Sequence, residues 1–184
     1  FLAAALKAPR ITEAAARLAD QARDADWTHE DYLAAELERE VSARNASGAA
    51  QRIRWAGFPA RKTIDDFDWD HQSAVRQQVA ALASGAFLAE ARNVVLLGPP
   101  GTGKTHLATA LGVTAAHHGH RVLFATAVDW VARLSDAHRL GKLPAELARL
   151  RRYGLIIIDE VGYLPFEQDA ANLVFQLVSS RYEH

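Results

Sequence analysis

The chain of 184 residues contains no cysteine. Disulfides and thiolate metal sites are therefore excluded. No apolar run approaches the ~20 residues that span a bilayer as a helix. The opening ten residues, FLAAALKAPR, resemble the apolar part of a targeting signal only faintly. The run is short and has no basic lead, so it reads as the interior of a helix in a longer chain, and a cytoplasmic location is expected. Neither sign of charge dominates: 21 Lys and Arg stand against 22 Asp and Glu, for a net charge of −1. Global electrostatics thus do not announce a nucleic-acid partner. What remains is an ordinary globular composition, with room for one domain of usual size and a small appendage.

The most informative stretch present is Gly98-Pro99-Pro100-Gly101-Thr102-Gly103-Lys104-Thr105. It fits the pattern G-x-x-x-x-G-K-[ST], a phosphate-binding loop. An apolar run, Val94–Leu97, precedes it, and a helix-forming run from His106 to Ala116 follows. That context carries the chemistry. The strand delivers the loop, and the helix start offers free N–H groups and its dipole to phosphate. Gly98, Gly101 and Gly103 let the backbone approach closely. Pro99 and Pro100 stiffen the turn, and Thr102 completes the loop. Lys104 would reach the β- and γ-phosphates, and the Thr105 hydroxyl would face Mg²⁺.

A second run, Leu155-Ile156-Ile157-Ile158-Asp159-Glu160, reads as a strand buried on both faces that ends in two carboxylates. Such residues sit at the carboxyl edge of a parallel sheet, where open α/β folds bind ligands. Asp159 is expected to be the second Mg²⁺ partner. Glu160 is expected to orient and polarise water, which makes it, with Lys104, the catalytic candidate.

Charge is uneven locally. Between Arg44 and Lys62 lie five basic residues and no acid, followed at once by Asp65, Asp66, Asp68 and Asp70. A second basic stretch runs from Arg139 to Arg152, with Glu146 as its one acid. Either stripe could track a phosphate backbone or be a solvated helix face. His117, His118 and His120 resemble a metal cluster. Gly119 among them instead suits the left-handed residue that closes a helix, and no fourth ligand is evident.

Residues 1–55 read as a small helical module for DNA binding or oligomerisation. Thr12 is expected to cap a helix with Ala15, Leu18 and Ala22 on one face. Thr28 and Asp31 form a capping box before Leu33, Leu37 and Val41. Asn45–Gly48 is expected to interrupt the helix or separate two helices. Residues 56–70 read as a linker. From 71 to 184 helix and strand alternate. Strands are expected at Val94–Leu97, Val122–Ala125 and Leu155–Asp159, and the last helix at 167–183, with Leu173, Val174, Leu177 and Val178 buried. Alternation of this kind implies a parallel sheet with flanking helices.

Three segments carry a family resemblance: the loop with its flanks from Leu97 to Ala108, the run Leu155–Phe166 (LIIIDEVGYLPF) and the run Phe175–Glu183 (FQLVSSRYE). With the linker Trp55–Asp68, they resemble the IstB-type AAA+ ATPases, helper proteins encoded beside the transposase of bacterial insertion sequences. The resemblance implies a P-loop NTPase of AAA+ type, with ATP and Mg²⁺ as cofactors. It implies double-stranded DNA, the transposase and further copies of the chain as partners, with no membrane. The resemblance further implies DNA-backbone contacts in the N-terminal helices and in parts of the ATPase domain. Arg52, Arg54 and Lys62 are the N-terminal candidates, and Arg149, Arg151 and Arg152 the weaker ones. Phe58 and Pro59 would border the adenine ring.

The same resemblance implies a polar sensor, an arginine finger and a lid that these residues do not supply. It also implies a further strand between Val94–Leu97 and Leu155–Asp159. Without that strand the sheet would have a gap at its middle, and residues 1–184 alone would fold poorly. A replicative helicase loader of the DnaC type is the alternative reading. A third is the remnant of a decayed mobile-element gene.

Overall fold

A computed structural model describes residues 2–70, 72–163 and 168–182. It divides after Ala50 into two compact units, residues 1–50 and 51–184. In the first, α1 (Leu2–Ala5) leads into α2 (Pro9–Asp24) and most of α3 (His29–Trp55), whose last five residues belong to the second. Helix α2 starts at Pro9, a full turn before the expected cap at Thr12. Proline at the first helical position gives up no hydrogen bond and has φ already set, so it opens the helix itself. Thr28 and Asp31 do form the expected box. The Asp31 amide donates to Thr28 Oγ1 and the Thr28 amide to Asp31 Oδ2, both at 3.1 Å. The Thr28 hydroxyl also donates to Asp31 Oδ2 at 2.7 Å, and that bond, with the one from the Thr28 amide, holds the Asp31 carboxyl below its ordinary value.

Two expectations for α3 fail. It runs unbroken through Asn45–Gly48, since one interior glycine costs only about 1 kcal/mol and neighbouring turns absorb it. Its buried face carries Glu36, Glu40 and Ala49, while Leu33, Leu37 and Val41 are about half exposed. The Arg10 amide, at the start of α2, donates to Glu40 Oε2 at 2.9 Å. A helix-start donor without an internal partner thereby draws a carboxylate inward.

In the second unit, a 3₁₀ turn (Ser73–Val75) opens α4 (Arg76–Ala83). Gly85, at φ 82°, then separates α4 from α5 (Ala86–Ala89). The order continues with α6 (Lys104–His117), β1 (Val122–Thr126), α7 (Ala127–Arg139), α8 (Leu143–Leu150), β2 (Leu155–Asp159) and α9 (Gln168–Tyr182). β1 and β2 pair in parallel, with Phe124 opposite Ile157 and Thr126 opposite Asp159.

Strand alternation divides the core into two layers. Val122, Phe124, Leu155 and Ile157 pack with Ala115 and Ala116 of α6 and with Ala56. Leu123, Ala125, Ile156 and Ile158 pack with Trp130 and Leu134 of α7, Leu143 and Leu150 of α8, and Leu173 and Leu177 of α9. Val178, expected to be buried, is 40 % exposed, and Ser180 is buried instead. The serine hydroxyl donates to the Leu177 carbonyl at 2.8 Å, which makes its burial tolerable.

The third expected strand does not form a ladder. Val94–Leu97 has no strand pairing among the described residues, and Val95 and Leu97 are 75 % and 89 % exposed. Sequence supplies the apolar side chains, but a strand exists only where a neighbour accepts its backbone bonds. The segment Leu164–Phe166, which helped carry the family resemblance, lies outside the described residues.

Candidate phosphate site

The loop sits between Leu97 and the first turn of α6. Gly101 and Gly103 have φ of 79° and 83°, a region that costs other residues strain. Gly103 is constrained a second way. A Cβ there would meet the Phe67 ring at 2.5 Å. Phe67 is buried against Trp69 and His106, with ring centroids 4.6 and 5.1 Å away. The linker therefore forms a packed wall behind the loop rather than a loose tether. Its geometry is fixed by Thr63 and Asp66, where the Thr63 hydroxyl donates to Asp66 Oδ2 at 2.7 Å. That bond, with the nearby His106 contributing less, pulls the Asp66 carboxyl below its ordinary value. His106 contributes structurally: its Nε2 donates to the Thr63 carbonyl at 2.8 Å.

Inside the loop, the Thr102 hydroxyl donates to the Pro99 carbonyl at 2.9 Å. The Lys104 ammonium donates to the carbonyls of Gly98 and Pro99 at 2.9 and 2.7 Å. These bonds tie the lysine side chain back onto the start of its own loop. The decisive contact lies at the edge of the sheet. The Thr105 hydroxyl donates to Asp159 Oδ2 at 2.7 Å, joining two motifs 54 residues apart. Asp159 Oδ1 accepts the Glu160 amide at 2.9 Å, and Glu160 itself holds a φ of 58°. A non-glycine residue in that region costs on the order of 1–3 kcal/mol and often marks a working site. The strain turns the chain sharply at the end of β2 and leaves the Glu160 side chain exposed beside Asp159.

A profile of the family described as "IstB-like ATP binding protein" matches residues 2–184. The chain belongs to the IstB-like ATP binding protein family. Among curated relatives it is 38% identical over 179 residues to an IS21 insertion-sequence protein of Pseudomonas aeruginosa named for ATP binding. That alignment covers 97% of this chain and 68% of the relative. It is 35% identical to the corresponding IS5376 protein of Geobacillus stearothermophilus, covering 97% of this chain and 72% of the relative. A third, from Sinorhizobium fredii, is also 35% identical, covering 97% and 60%. The chain thus spans roughly two thirds of the length of these IstB-like relatives. Nucleotide binding follows from the family.

The structure gives several predicted site residues other work. Phe58 packs edge-on against Phe124 at 6.0 Å. It also crowds Gly112, where a Cβ would lie 2.7 Å from its ring, so its ring is engaged with α6 and β1. Pro59 is exposed. Arg52 Nε donates to the Ala116 carbonyl at 2.7 Å, satisfying one of the last carbonyls of α6. Arg149 is held by Glu146, whose other oxygen contacts also include Arg133 at 2.6 Å. Arg54, Lys62, Arg151 and Arg152 are exposed. α6 ends at His117 and Gly119 takes the expected left-handed φ of 96°.

Sequence reasoning missed Trp130 and Arg181. Trp130 is fully buried and donates its indole N–H to the Ile157 carbonyl at 3.0 Å. Arg181 donates to the carbonyls of Leu150 and Tyr153 at 3.2 and 2.9 Å, tying α9 to the lead-in of β2. Burial lowers its pKa from the usual arginine range. Both bonds join residues 27 or more positions apart, so no local pattern signals them.

Proposed function

We propose that this chain is the ATP-hydrolysing part of a DNA-transposition helper of AAA+ type. It binds ATP at Gly98–Thr105, assembles with further copies on double-stranded DNA, and recruits or regulates the transposase in the cytoplasm. The observation that carries the reading is the Thr105–Asp159 bond, which brings a phosphate loop and a strand-end carboxylate pair into one site. The insertion-sequence relatives favour transposition over helicase loading.

A hydroxyl and a carboxylate at 2.7 Å are the hard oxygen donors that Mg²⁺ accepts. Thr105 and Asp159 would hold the ion, whose chemistry is to neutralise charge on the phosphate oxygens. The residues of the chain supply the rest. Loop amides and the start of α6 bind the phosphates, and Lys104 adds a point charge. Glu160 accepts a proton from, or orients, the attacking water. Arg54, Lys62 and Arg152 are the exposed cations for DNA backbone. Arg52 and Arg149 are already committed within the protein.

The test is a pair of variants assayed for nucleotide binding and for turnover with DNA present. Lys104→Ala should lose ATP binding. Glu160→Gln should bind normally and turn over at least ~10²-fold more slowly, the usual contribution of a general base. Undiminished turnover by Glu160→Gln would remove that residue from the reaction.

A further inference from the structure

Three large apolar side chains of α3 form a stripe that is turned outward. Leu33, Leu37 and Val41 are 57, 49 and 54 % exposed, while the acidic Glu36 and Glu40 occupy the buried face. We propose that this stripe is an isologous contact with a second copy of the chain, in which two α3 helices cross antiparallel about a two-fold axis at Leu37. The proposal deepens the self-assembly reading above and rests on it.

The argument for a second copy is the symmetry of the pattern. Leu33 and Val41 lie four residues to either side of Leu37, and Glu30 and Arg44 lie seven to either side. Steps of four and seven stay on one helix face. In an antiparallel pair centred on Leu37, Leu37 therefore meets its own mate and Leu33 meets Val41. Glu30 of each copy meets Arg44 of the other, with opposite charge at both ends. A two-fold contact demands this reciprocity, because residue i touches j wherever j touches i. Parallel pairing would set Glu30 against Glu30 and Arg44 against Arg44, which is repulsive at both ends. Glu30 and Arg44 are both exposed. The Arg44 guanidinium already donates to Glu40 Oε1 and to the Lys7 carbonyl, at 3.3 and 2.9 Å, which holds it at the margin of the stripe.

The absence of native cysteine makes the register directly readable. Leu37→Cys, Leu33→Cys, Val41→Cys and the off-stripe control Ser42→Cys are made in the full chain and oxidised mildly. The Leu37 variant should cross-link to itself ~10-fold or more faster than the Ser42 variant, because only juxtaposed Cβ atoms close a disulfide. The Leu33 variant alone should stay at the control rate, and a mixture of Leu33→Cys and Val41→Cys chains should cross-link to each other. Unchanged melting temperatures of the reduced variants confirm that each is folded. If Leu37→Cys cross-links no faster than Ser42→Cys, the surface is wrong. If Leu33→Cys links to itself as fast as Leu37→Cys, the pairing is parallel and the charge register is refuted. Assembly with ATP and DNA that persists while Leu37→Cys fails would refute this surface and leave the self-assembly reading standing. Loss of both would refute both.

Discussion

Two apolar runs of similar composition meet opposite fates. Leu155–Ile158 is a paired strand with helices on both faces, whereas Val94–Leu97 lies unpaired with Val95 and Leu97 largely in solvent. Neither length nor hydrophobicity separates them. The difference is that β1 accepts one edge of β2 while α6, α7, α8 and α9 close over the sheet. Even the outer edge of β1 is engaged, because the Phe124 amide donates to the Ala56 carbonyl at 2.7 Å. An apolar run becomes a strand through a neighbouring backbone, and the glycine-rich loop hangs from the run that has no strand beside it among the described residues, although Leu96 packs against the cluster of Phe67, Val79, Leu107 and Leu111.

Hydrogen exchange should show the largest contrast. Amides of Leu155–Asp159 should exchange on the order of 10³-fold more slowly than those of Val94–Leu97, since paired core amides open only with the unit while unpaired ones exchange locally. Equal rates would mean that the Val94 run pairs in solution. Addition of ATP should protect the loop amides following Gly98 and leave Val94–Val95 fast, which separates ordering by ligand from pairing of the strand.

Side-chain truncation should give the next largest. Ile157→Ala removes a buried side chain that touches Gly112 and the α6 layer. It should cost about 2–4 kcal/mol in urea unfolding, the range for cavity formation in a core. Leu97→Ala, at 89 % exposure, should change stability by less than about 0.5 kcal/mol. Comparable losses at the two positions would show that Val94–Leu97 is covered in solution after all. Trp130→Phe should fall between them. It leaves the Ile157 carbonyl without its indole donor in a fully buried place, at about 1–3 kcal/mol.

The part of this architecture legible in the sequence is the part fixed by local chemistry. The phosphate loop, the Asp159–Glu160 strand end, the Thr28 box and the Thr126 cap each depend on residues within a few positions. The Thr28 box is found as expected, and in the same way the Thr126 hydroxyl accepts the Asp129 amide at 3.2 Å. Thr105 and Asp159, each expected to face Mg²⁺, meet through a direct hydrogen bond. Pairing was not legible. Whether Val94–Leu97 acquires a ladder depends on what lies beside it, and whether α3 turns Leu37 or Glu40 inward depends on the Arg10 amide of another helix. Arg52 illustrates the same limit. A basic stripe suggested a DNA contact, yet the carbonyl that Arg52 Nε serves lies 64 residues away.

The smallest effect belongs to the layer that covers β2. Glu146 of α8 accepts from Arg149 on its own helix and from Arg133 on α7, bridging the two helices above the strand. The Arg149 bond, opposed by desolvation and reinforced by Arg133, holds the Glu146 carboxyl below its ordinary value. A depressed carboxylate stabilises the fold above its unfolded pKa, near about 4.3, and that contribution fades as pH falls toward the folded value. Stability should therefore decline below about pH 4.5 with a share traceable to this cluster. With Arg149 almost half exposed, solvent screening limits the share to about 0.5–1 kcal/mol. Glu146→Gln, followed by urea unfolding from pH 7 down to pH 3, should lower stability at neutral pH and flatten the acid limb by the same amount. An acid limb as steep in Glu146→Gln as in the native chain would show that this cluster contributes nothing to the loss of stability in acid.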